Sequence, residues 1–588
     1  MRVHYPRTPH LPWSPGAAAD DVRAGDLSGL HGREVVVTEK MDGENTTLYT
    51  DGLHARSLDS GHHPSRAWVK GLQGRIGPTI PAGWRVCGEN LFARHSIAYT
   101  GLDSWFYGFS VWDAADRCLG WDDTVRFLRR LGVPVPRVLW RGVFDERAVR
   151  ALRLDTGREE GYVVRAAEGF PREEFGRRVA KWVRPHHVQT DTHWMHAAVV
   201  PNGLGPAAPL WAVRSGAEAD LPALLAATGP GEREPGEPES GERDPEAAVA
   251  DVSARLDVLG RTGDARLAGV LAAALAGGNR GRLAAGLAGP LGMPLARRVA
   301  DLVGLHPALQ RPFPDEDRRA GLVRMAQVAD LGVLHAVAAA VTTGRADAEA
   351  AGAREQAEWS ALHAEDAGLL GEAPLAPLRS GLREALAGLG PDAADRCWAE
   401  AREAFALGRV SGVEDAVAAS WRWRSGAFPQ LVQLVGPSGS GKSGFAARLP
   451  EVSARVSLDG LREERGDRAD QRANGDVLRE GLDRLDAALA RGGTVVWDAT
   501  SLNRQQRSLV QGVAQRRDAL VTQAVLLVGE AELARRNEVR PHPVPPGVLA
   551  AQLRRFGPPY PGEAHRTWYM GAAGTVEDTA GTIGGEDA

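Results

Sequence analysis

The sequence predicts a multidomain protein in which an α+β domain is followed by an all-α domain and then by an α/β domain. Three observations support this prediction. Residues 229–247 are rich in Pro, Gly and Glu and separate a β-rich first part from the rest of the chain. Residues 248–425 are rich in Ala, Leu and Arg, and their apolar positions repeat with the period of a helix. From residue 426 onward short apolar strands alternate with helical segments, which is typical of a parallel sheet covered by helices.

The domain boundaries follow from these changes in composition. Residues 229–247 contain no large apolar side chain, so they cannot bury surface and should be a disordered linker. The last residues, GAAGTVEDTAGTIGGEDA, are small and acidic and are expected to form a flexible tail. We therefore expect a first domain at 1–228, the linker at 229–247, a helical domain of unassigned role at 248–425, an α/β domain at 426–570 and the tail at 571–588.

The overall composition is that of a globular protein of several domains. The 588 residues are 43% hydrophobic and 25% charged, which is enough for three to four separate cores. The net charge is −5, so any contact with nucleic acid must come from local arginine clusters. Three scattered cysteines do not make a disulfide framework or a zinc cluster, and we expect a reducing, cytoplasmic setting. Neither a signal peptide nor a membrane span is expected.

Lysine is rare in this chain, and its positions are informative. Only Lys40, Lys70, Lys181 and Lys442 stand among 70 basic residues. Arginine keeps its proton in proteins, so it cannot attack phosphorus, and its planar fork differs from a compact point charge. Three of the four lysines lie in segments that indicate phosphate chemistry. Lys70 belongs to no motif.

Lys40 lies in EKMDGEN, directly after the predicted strand at 35–37. Further segments follow in a fixed order: Arg56 in HARSLDS, Glu89 in GEN, the aromatic run WFYGFSVWD, Glu159-Glu160-Gly161 before YVVR, and Lys181 in VAKWVR. This ordered set resembles the covalent nucleotidyltransferases, and most closely the ATP-dependent RNA ligases. The resemblance covers residues 33 to about 200.

The resemblance implies a role for each of these residues. Lys40 is the expected nucleophile that attacks the α-phosphate of ATP and forms lysyl-AMP, with a pKa lowered by neighbouring positive charge and burial. Lys181 would stabilise negative charge on that phosphate in the transition state. The resemblance also implies that Glu89 contacts the ribose, that Phe106 or Phe109 stacks on adenine, and that Arg56 reaches a phosphate.

Glu160 resembles the carboxylate that holds Mg²⁺ or Mn²⁺ in this family, since hard oxygen ligands suit these ions. Because Glu159 is adjacent, either glutamate could be the metal ligand, although the spacing to Gly161 favours Glu160. Val183 stands where the family often has a second lysine, which leaves the second phosphate contact open. No OB-fold segment follows residue 200, so RNA is the favoured substrate.

The segment GPSGSGKS, between the strand QLVQLV and the helix GFAARL, is a P-loop. Its glycines allow backbone N–H groups to surround the β- and γ-phosphates, its lysine reaches across them, and its last serine binds Mg²⁺. These roles fall on Gly436, Gly439, Gly441, Lys442 and Ser443.

Further residues of the α/β domain resemble those of polynucleotide 5′-kinases. There an aspartate at the position of Asp459 accepts the proton of the attacking 5′-hydroxyl, and an arginine at the position of Arg462 holds the neighbouring phosphate. The alternative for this pair is an ion pair at a helix start. Asp498 ends TVVWD and could hold a metal-bound water. Arg536 and Arg540, four residues apart on a predicted helix, resemble a lid that clamps ATP phosphates.

Two regions keep more than one interpretation. Lys70 is either a solvated lysine near a helix end or, with Arg66 one turn earlier, a contact to an RNA phosphate beside the adenylate. The helical region 248–425 contains no recognisable catalytic set, and we interpret it as a spacer or an RNA-docking module.

Together these segments predict a bifunctional RNA-repair enzyme that uses ATP and Mg²⁺ or Mn²⁺. The kinase would convert a 5′-hydroxyl RNA end to a 5′-phosphate, and the ligase would seal it to a 3′-hydroxyl through lysyl-AMP and AppRNA. No 3′-phosphatase or phosphodiesterase motif is found, so a separate enzyme that heals 3′ ends is expected. Two alternatives stay open: a ligase fused to a kinase for nucleosides or other small molecules, and an ATP-gated RNA-binding sensor with degenerate sites.

Overall fold

The computed structural model describes residues 2–19, 21–58, 62–185, 198–229, 244–466, 474–540 and 542–585. The chain divides into two compact units. The first comprises Met1–Ala227 with Leu256–Leu267, and the second comprises Thr228–Arg255 with Ala268–Ala588. The predicted fold classes are confirmed: an α+β first domain, a helical middle region and an α/β domain with a P-loop.

The first unit is built on two antiparallel sheets with the strand orders β10-β8-β1-β7 and β3-β2-β4-β5-β6-β9. The strands are β1 (Glu34–Lys40), β2 (Glu44–Tyr49), β3 (Gly52–Ala55), β4 (Arg85–Asn90), β5 (Phe106–Trp112), β6 (Arg117–Cys118), β7 (Val138–Val143), β8 (Gly161–Ala166), β9 (Phe170–Pro171) and β10 (Val179–Val183). The helices are α1 (Ala67–Ile76), α2 (Trp121–Leu131), α3 (Glu146–Arg150), α4 (Phe175–Arg178), α5 (Ala208–Arg214) and α6 (Leu221–Thr228).

The register of the smaller sheet brings the predicted catalytic segments together. The valines of β1 are β-branched and fully buried, which suits a central strand. Lys40, the last residue of β1, pairs with Gly161, and Lys181 in β10 pairs with Val163. A Cβ atom on Gly161 would lie 2.0 Å from the carbonyl oxygen of Trp182, so only glycine fits beside β10 here. The residue before it, Glu160, therefore lies next to Lys40.

The second unit contains a six-stranded sheet of order β12-β13-β11-β14-β15-β16. The strands are β11 (Gln430–Val435), β12 (Val452–Ser457), β13 (Thr494–Asp498), β14 (Leu520–Leu526), β15 (Arg566–Met570) and β16 (Val576–Ala580). The first five are parallel, as predicted, and β16 runs antiparallel to β15.

The prediction of a flexible tail at 571–588 is wrong for β16. Arg297 forms an ion pair with Asp578 of this strand at 2.7 Å. Arg379 donates hydrogen bonds to the carbonyl oxygens of Thr582 and Ile583 at 2.7 and 3.2 Å. The strand is thus held by buried arginines of the helical region and by its neighbour β15. A pattern based on apolar residues misses such a strand, because few of its own side chains are apolar.

The helical region contains α7 (Pro245–Val258), α8 (Gly263–Ala274), α9 (Arg280–Leu291), α10 (Met293–Leu309), α11 (Asp315–Ala326), α12 (Leu331–Ala340), α13 (Ala348–Asp366), α14 (Ala376–Ala385), α15 (Pro391–Ala406) and α16 (Val413–Ala419). Among the described residues no single helix is long and apolar enough to cross a membrane; only the bent pair Asp317–Ala326 and Leu331–Ala340 meets the length and composition test together. The predicted linker lies mostly outside the described residues, and α7 begins inside its last three positions.

The α/β part of the second unit adds α17 (Lys442–Arg448), α18 (Leu458–Glu464), α19 (Asn474–Ala490), α20 (Arg504–Arg516), α21 (Glu530–Glu538) and α22 (Pro546–Arg555). The regions 248–425 and 426–570, predicted as separate domains, share one hydrophobic core. Met293 and Ala300 of α10 pack in one cluster with Val435 of β11 and Tyr569 of β15. Composition revealed the change of secondary structure at this boundary but not the shared core.

A buried ion pair offers a stability test of the second unit. The carboxylate of Glu563 accepts hydrogen bonds from Nε and a terminal nitrogen of Arg507 at 2.5 and 2.9 Å, and both side chains are nearly excluded from solvent. Glu563→Gln leaves the guanidinium without its countercharge, so we expect a loss of about 3–5 kcal/mol in the unfolding free energy. Hydrogen exchange of amides in α20 and β14 measures this loss locally.

The matched control breaks an exposed ion pair in the same unit. Asp486 and Arg517 pair at the surface, and Asp486→Asn should leave the exchange rates near those of the wild type, because solvent already screens this pair. Equal effects of Glu563→Gln and Asp486→Asn would contradict a structural role for the buried pair.

Candidate active sites

The first unit contains a cavity of about 1180 Å³ that brings most of the predicted ligase residues together. Strand ends and the turns after them supply its polar side chains. The predicted residues that line it are Lys40, Arg56, Arg66, Glu89, Phe109, Glu160 and Lys181.

Lys40 and Glu160 form the polar centre of this cavity. The Nζ atom of Lys40 donates a hydrogen bond to Oε2 of Glu160 at 2.5 Å. Oε1 of Glu89 accepts a hydrogen bond from the backbone N–H of Gly43 at 3.2 Å, which ties β4 to the turn that follows Lys40. Glu159, the other candidate for the metal ligand, instead pairs with Arg137 and accepts a hydrogen bond from the backbone of Asp155. The register therefore favours Glu160.

The electrostatics of Lys40 differ from the prediction. Burial favours the neutral amine, but the carboxylates of Glu160, Glu89 and Asp42 outweigh it and raise the pKa of Lys40. We predicted that positive neighbours lower the pKa of Lys40, and this prediction is wrong for the protein without bound nucleotide. Burial raises the pKa of Glu89 to about 8, and burial followed by the charge of Lys40 lowers the pKa of Lys181. The charged groups that raise the pKa of Lys40 are all carboxylates, which suits a divalent cation bound beside it.

The carboxylates of Glu160 and Glu89 are the side chains of this cavity that we consider as ligands of Mg²⁺ or Mn²⁺. Glu160 presents a hard carboxylate oxygen at the cavity, and Glu89 lies close enough to influence Lys40. Within the described residues no group of three His, Cys, Asp or Glu side chains is arranged around one point. Mg²⁺ commonly uses one or two carboxylates together with substrate phosphates and water, so the site fits an ion that binds with a nucleotide.

Both candidates for stacking on adenine, Phe106 and Phe109, lie in β5, and their positions in this strand distinguish them. Phe106 is fully buried in the core with Leu48, Val86 and Leu128, so it cannot stack on a bound base. The prediction for Phe106 is wrong because this part of the strand faces α2. Phe109 lines the cavity and is the residue placed for stacking.

Arg66 and Lys70, which were predicted to bind RNA together, lie in different environments: Arg66 lines the cavity and Lys70 does not. Arg66 is buried in the cavity wall, where Nε donates a hydrogen bond to Oε2 of Glu44 at 2.7 Å and a terminal nitrogen donates to Oε1. Its guanidinium is thus bonded to Glu44, and the contact of Arg66 to an RNA phosphate beside the adenylate stays a prediction. Lys70 is exposed in the middle of α1, not at its end, and does not line the cavity.

Sequence reasoning missed the contribution of the N-terminal segment. His4, Tyr5, Arg7 and Thr8 all line the same cavity. These residues have no helical or strand periodicity, and their contacts are with distant segments. Only the concentration of aromatic, cationic and proline residues in HYPRTPHLPW could have drawn attention to them.

The second site lies where β11 ends and α17 begins. Gly436, Gly439 and Gly441 have φ values of +147°, +84° and +101°, which the loop needs in order to turn its N–H groups inward. Nζ of Lys442 donates hydrogen bonds to the carbonyl oxygens of Gly436 and Pro437 at 2.8 and 2.7 Å. Burial lowers the pKa of Lys442 to about 8. The loop has the geometry of a phosphate cradle.

Ser443 and Asp498, the two residues predicted to hold a metal ion at this site, are in contact. Oγ of Ser443 donates a hydrogen bond to Oδ2 of Asp498 at 3.2 Å. Sequence reasoning missed Arg455 of β12, which forms an ion pair with Asp498 of the neighbouring strand β13. A hydroxyl and a carboxylate side by side fit a Mg²⁺ ion that is bound together with nucleotide phosphates.

Asp459 and Arg462 lie in α18 and form an ion pair at 2.7 Å. The predicted alternative, an ion pair at a helix start, is therefore present. Asp459 is exposed, and it lies near enough to the P-loop for its charge to act on Lys442, where burial dominates and lowers the pKa. The two interpretations do not exclude each other.

The lid arginines are arranged differently from the prediction. Helix α21 ends at Glu538, so Arg536 and Arg540 do not share one helix face. The residue before a proline disfavours the helical conformation, and Arg540 precedes Pro541. The charge of Arg540 nevertheless lowers the pKa of Lys442, and one of its terminal nitrogens is buried without a hydrogen-bond partner in the described part of the chain. Arg536 donates to the carbonyl oxygen of Ser440 in the P-loop at 3.3 Å.

Comparisons with known proteins match the two sites separately. The family described as RNA ligase matches residues 33–183, and the family described as AAA domain matches residues 431–559. No curated protein matches the chain. Among solved structures, a sugar kinase from Janibacter sp. is 22% identical, with 25% of this chain and 86% of that chain covered and a TM-score of 0.20.

Two further solved structures are similar to parts of the chain. The tunicamycin resistance protein of Deinococcus radiodurans is 16% identical, with 22% of this chain and 79% of that chain covered and a TM-score of 0.18. A Naegleria gruberi RNA ligase variant with ATP and Mn is 17% identical, with 29% of this chain and 56% of that chain covered and a TM-score of 0.21. The match thus spans little more than half of that ligase. The two family matches therefore assign similarity to RNA ligases to residues 33–183 and similarity to AAA domains to residues 431–559, which contain the P-loop.

Proposed function

We propose that this chain phosphorylates 5′-hydroxyl RNA ends and then seals the new 5′-phosphate to a 3′-hydroxyl. The observation that supports this most is the convergence of Lys40, Glu160 and Lys181 in one cavity of an RNA ligase domain. A second nucleotide site on the same chain gives the ligase a source of its substrate. The kinase product is the group that the ligase must activate.

In the ligase reaction, Nζ of Lys40 attacks the α-phosphorus of ATP. A nitrogen–phosphorus bond forms, the bond to pyrophosphate breaks, and Nζ loses a proton. The nearest hydrogen-bond acceptor of Nζ is Oε2 of Glu160, at 2.5 Å. Lys181 stabilises the charge that develops on the phosphate oxygens. Mg²⁺ or Mn²⁺, held through Glu160, would supply further positive charge when bound. The AMP group then passes to the RNA 5′-phosphate, and attack by a 3′-hydroxyl releases AMP.

In the kinase reaction, Asp459 accepts the proton of the 5′-hydroxyl while the hydroxyl oxygen attacks the γ-phosphorus of ATP. The bond from this phosphorus to the β,γ-bridging oxygen breaks, and ADP leaves. Lys442 and Arg540 stabilise the charge on the transferred group. Ser443 and Asp498 would hold Mg²⁺, whose role is to neutralise charge on the β- and γ-phosphates. Arg462 would hold the neighbouring RNA phosphate, since it lies one helical turn from Asp459.

Labelled ATP distinguishes this proposal from the two alternatives. α-Labelled ATP should transfer its label to the protein, and γ-labelled ATP should transfer its label to 5′-hydroxyl RNA. A nicked RNA stem-loop with 5′-hydroxyl and 3′-hydroxyl ends should then be sealed. Label on a nucleoside or sugar instead of RNA would favour the small-molecule kinase, and RNA binding without any transfer would favour the sensor.

RNA that ends in a 2′,3′-cyclic phosphate should not be sealed by this chain alone. Sealing requires a free 3′-hydroxyl as the nucleophile, and the cyclic phosphate blocks it. Addition of a separate 3′-end healing enzyme should restore sealing of the same RNA in a gel assay. Ring opening or release of phosphate by the purified chain would contradict this expectation and would point to an activity of the helical region.

Lys70→Ala tests whether this exposed lysine contacts RNA. If it binds one phosphate, the slope of log affinity against log salt should fall by about one unit, while adenylylation of Lys40 is unchanged. Lys70→Arg keeps the charge and should keep the slope. An unchanged slope in Lys70→Ala across a salt series would make Lys70 an ordinary surface residue.

A further inference from the structure

The first residues of the chain lie outside the RNA ligase match, which begins at residue 33. Residues 2–11, here called the N-terminal arm, are nevertheless fixed to the ligase sheets. At its beginning, the backbone N–H of Val3 donates to the hydroxyl of Tyr49 at 3.0 Å. The carbonyl oxygen of His4 accepts a hydrogen bond from Arg172 at 3.0 Å, and Nδ1 of His4 lies 3.1 Å from the carbonyl oxygen of Arg56.

The other end of the arm pairs with β10 at Lys181 itself. The backbone N–H of Lys181 donates to the carbonyl oxygen of Pro9 at 2.9 Å, and the N–H of Leu11 donates to the carbonyl oxygen of Lys181 at 2.7 Å. Leu11 is fully buried in the core of the smaller sheet. The arm therefore extends the sheet at the position of a predicted catalytic lysine.

Between these two attachments, residues 4–8 line the nucleotide cavity. The ring of Tyr5 packs edge-on against Phe109 at 5.4 Å and against Phe175 at 5.3 Å. Tyr5 thus supports the aromatic residue that is placed for base stacking. Arg7 is exposed at the cavity, and the described part of the chain gives it no hydrogen bond or ion pair.

Arg7 differs in this respect from two other arginines of the cavity wall. Arg66 is committed to Glu44, and Arg165 donates to the carbonyl oxygens of Phe109 and Leu119 at 3.2 and 2.7 Å. A chain residue advances at most about 3.6 Å, so the Cα atom of Arg7 lies within about 7 Å of that of Pro9, the partner of Lys181. Arg7 is therefore held between the base-stacking end of the cavity and its catalytic lysines.

We propose that the N-terminal arm is part of the ligase active site, in which Arg7 binds a phosphate group and Tyr5 positions Phe109. A guanidinium without protein partners on a cavity wall fits a phosphate, which it can bind through two parallel hydrogen bonds. The proposal rests on the ligase function proposed above. The phosphate belongs either to the triphosphate of ATP or to the RNA, and the two reactions of the ligase separate these sources.

The experiment compares wild type, Arg7→Ala and Arg7→Lys in two assays on the full chain. The first measures formation of lysyl-AMP at increasing ATP concentrations, and the second measures sealing of pre-adenylated RNA without ATP. If Arg7 binds the triphosphate, Arg7→Ala should lose roughly 10- to 100-fold in kcat/KM for adenylylation and seal pre-adenylated RNA normally. A loss confined to the second assay assigns the phosphate to RNA. Arg7→Lys should restore part of either loss, because the charge remains.

The matched control is Arg23→Ala, because Arg23 is exposed before β1 but does not line the cavity. It should behave as wild type in both assays. Wild-type rates in Arg7→Ala would overturn the phosphate role, and so would a uniform loss accompanied by a lower melting temperature. A wild-type chain that forms no lysyl-AMP would refute the ligase function itself, which is a different outcome.

Tyr5 is tested as a positioning residue. Tyr5→Ala removes the ring that supports Phe109, so KM for ATP should rise while the rate at saturating ATP changes little. Tyr5→Phe keeps the ring and should restore KM. If Tyr5→Ala and wild type share the same KM, Tyr5 does not position Phe109; equal rises in Tyr5→Phe and Tyr5→Ala would assign the effect to the hydroxyl and also overturn the packing role.

Discussion

Replacing Lys40 by alanine or arginine is expected to abolish the covalent AMP adduct and all sealing that starts from ATP. Alanine has no nucleophile, and the guanidinium of arginine stays protonated and cannot attack phosphorus. Sealing of pre-adenylated RNA should persist, because that RNA enters the reaction after the step that uses Lys40. Intact mass spectrometry after incubation with ATP and Mg²⁺ measures the adduct directly.

Lys70→Arg is the matched control for Lys40→Arg, because it makes the same exchange at an exposed lysine outside the cavity. It should form the adduct as wild type does. An adduct that persists in Lys40→Ala would show that another residue carries AMP and would remove the main support for the proposed ligase mechanism.

Asp459→Ala is expected to reduce phosphorylation of 5′-hydroxyl RNA by roughly 10²–10⁴-fold, the usual effect of losing a general base. Sealing of RNA that already carries a 5′-phosphate should stay near the wild-type rate. Asp459→Asn is the sharper variant, because the amide keeps the size of the side chain but cannot accept the proton. Transfer of γ-label to RNA, measured beside sealing of phosphorylated RNA, checks both statements.

The ion pair between Asp459 and Arg462 requires a separate control. Arg462→Ala breaks the same pair but leaves the carboxylate, so it should raise KM for RNA more than it lowers the rate at saturating RNA. If Arg462→Ala and Asp459→Asn have the same effect on that rate, the pair acts only through its structure. Normal phosphorylation in Asp459→Asn would show that the kinase site has another base.

Most of the ligase site could be predicted because its residues lie in short segments whose fixed order resembles that of the RNA ligases. Lys40 ends β1 and Glu160 precedes β8, and pairing of these strands brings them together whatever the surrounding packing. The choice between Phe106 and Phe109 depended on which face of β5 packs against α2. A run of aromatic residues does not contain that information.

The sequence did not predict the electrostatics of the sites or the pairing of segments that are distant along the chain. The raised pKa of Lys40 results from carboxylates on β4 and before β8, which lie far from it along the chain. Arg540 was placed on a helix by its spacing, although the proline after it works against that conformation. The N-terminal arm was not recognised, because its attachment to β10 consists of backbone hydrogen bonds to Lys181, and no side-chain pattern encodes these.

The attachment of β16 to the helical region limits where the chain can be cut to obtain an active fragment. Asp578 is held by Arg297, the carbonyl oxygens of Ala564 and His565 are held by Arg402, and the backbone N–H of Ile583 donates to Asp395. A fragment of residues 426–570 would keep Ala564 and His565 but would lose Arg297, Asp395, Arg402 and the whole of β16, and it would end on an open sheet edge, which favours aggregation. A recombinant form of the P-loop domain should therefore begin before α9 and extend beyond Ile583.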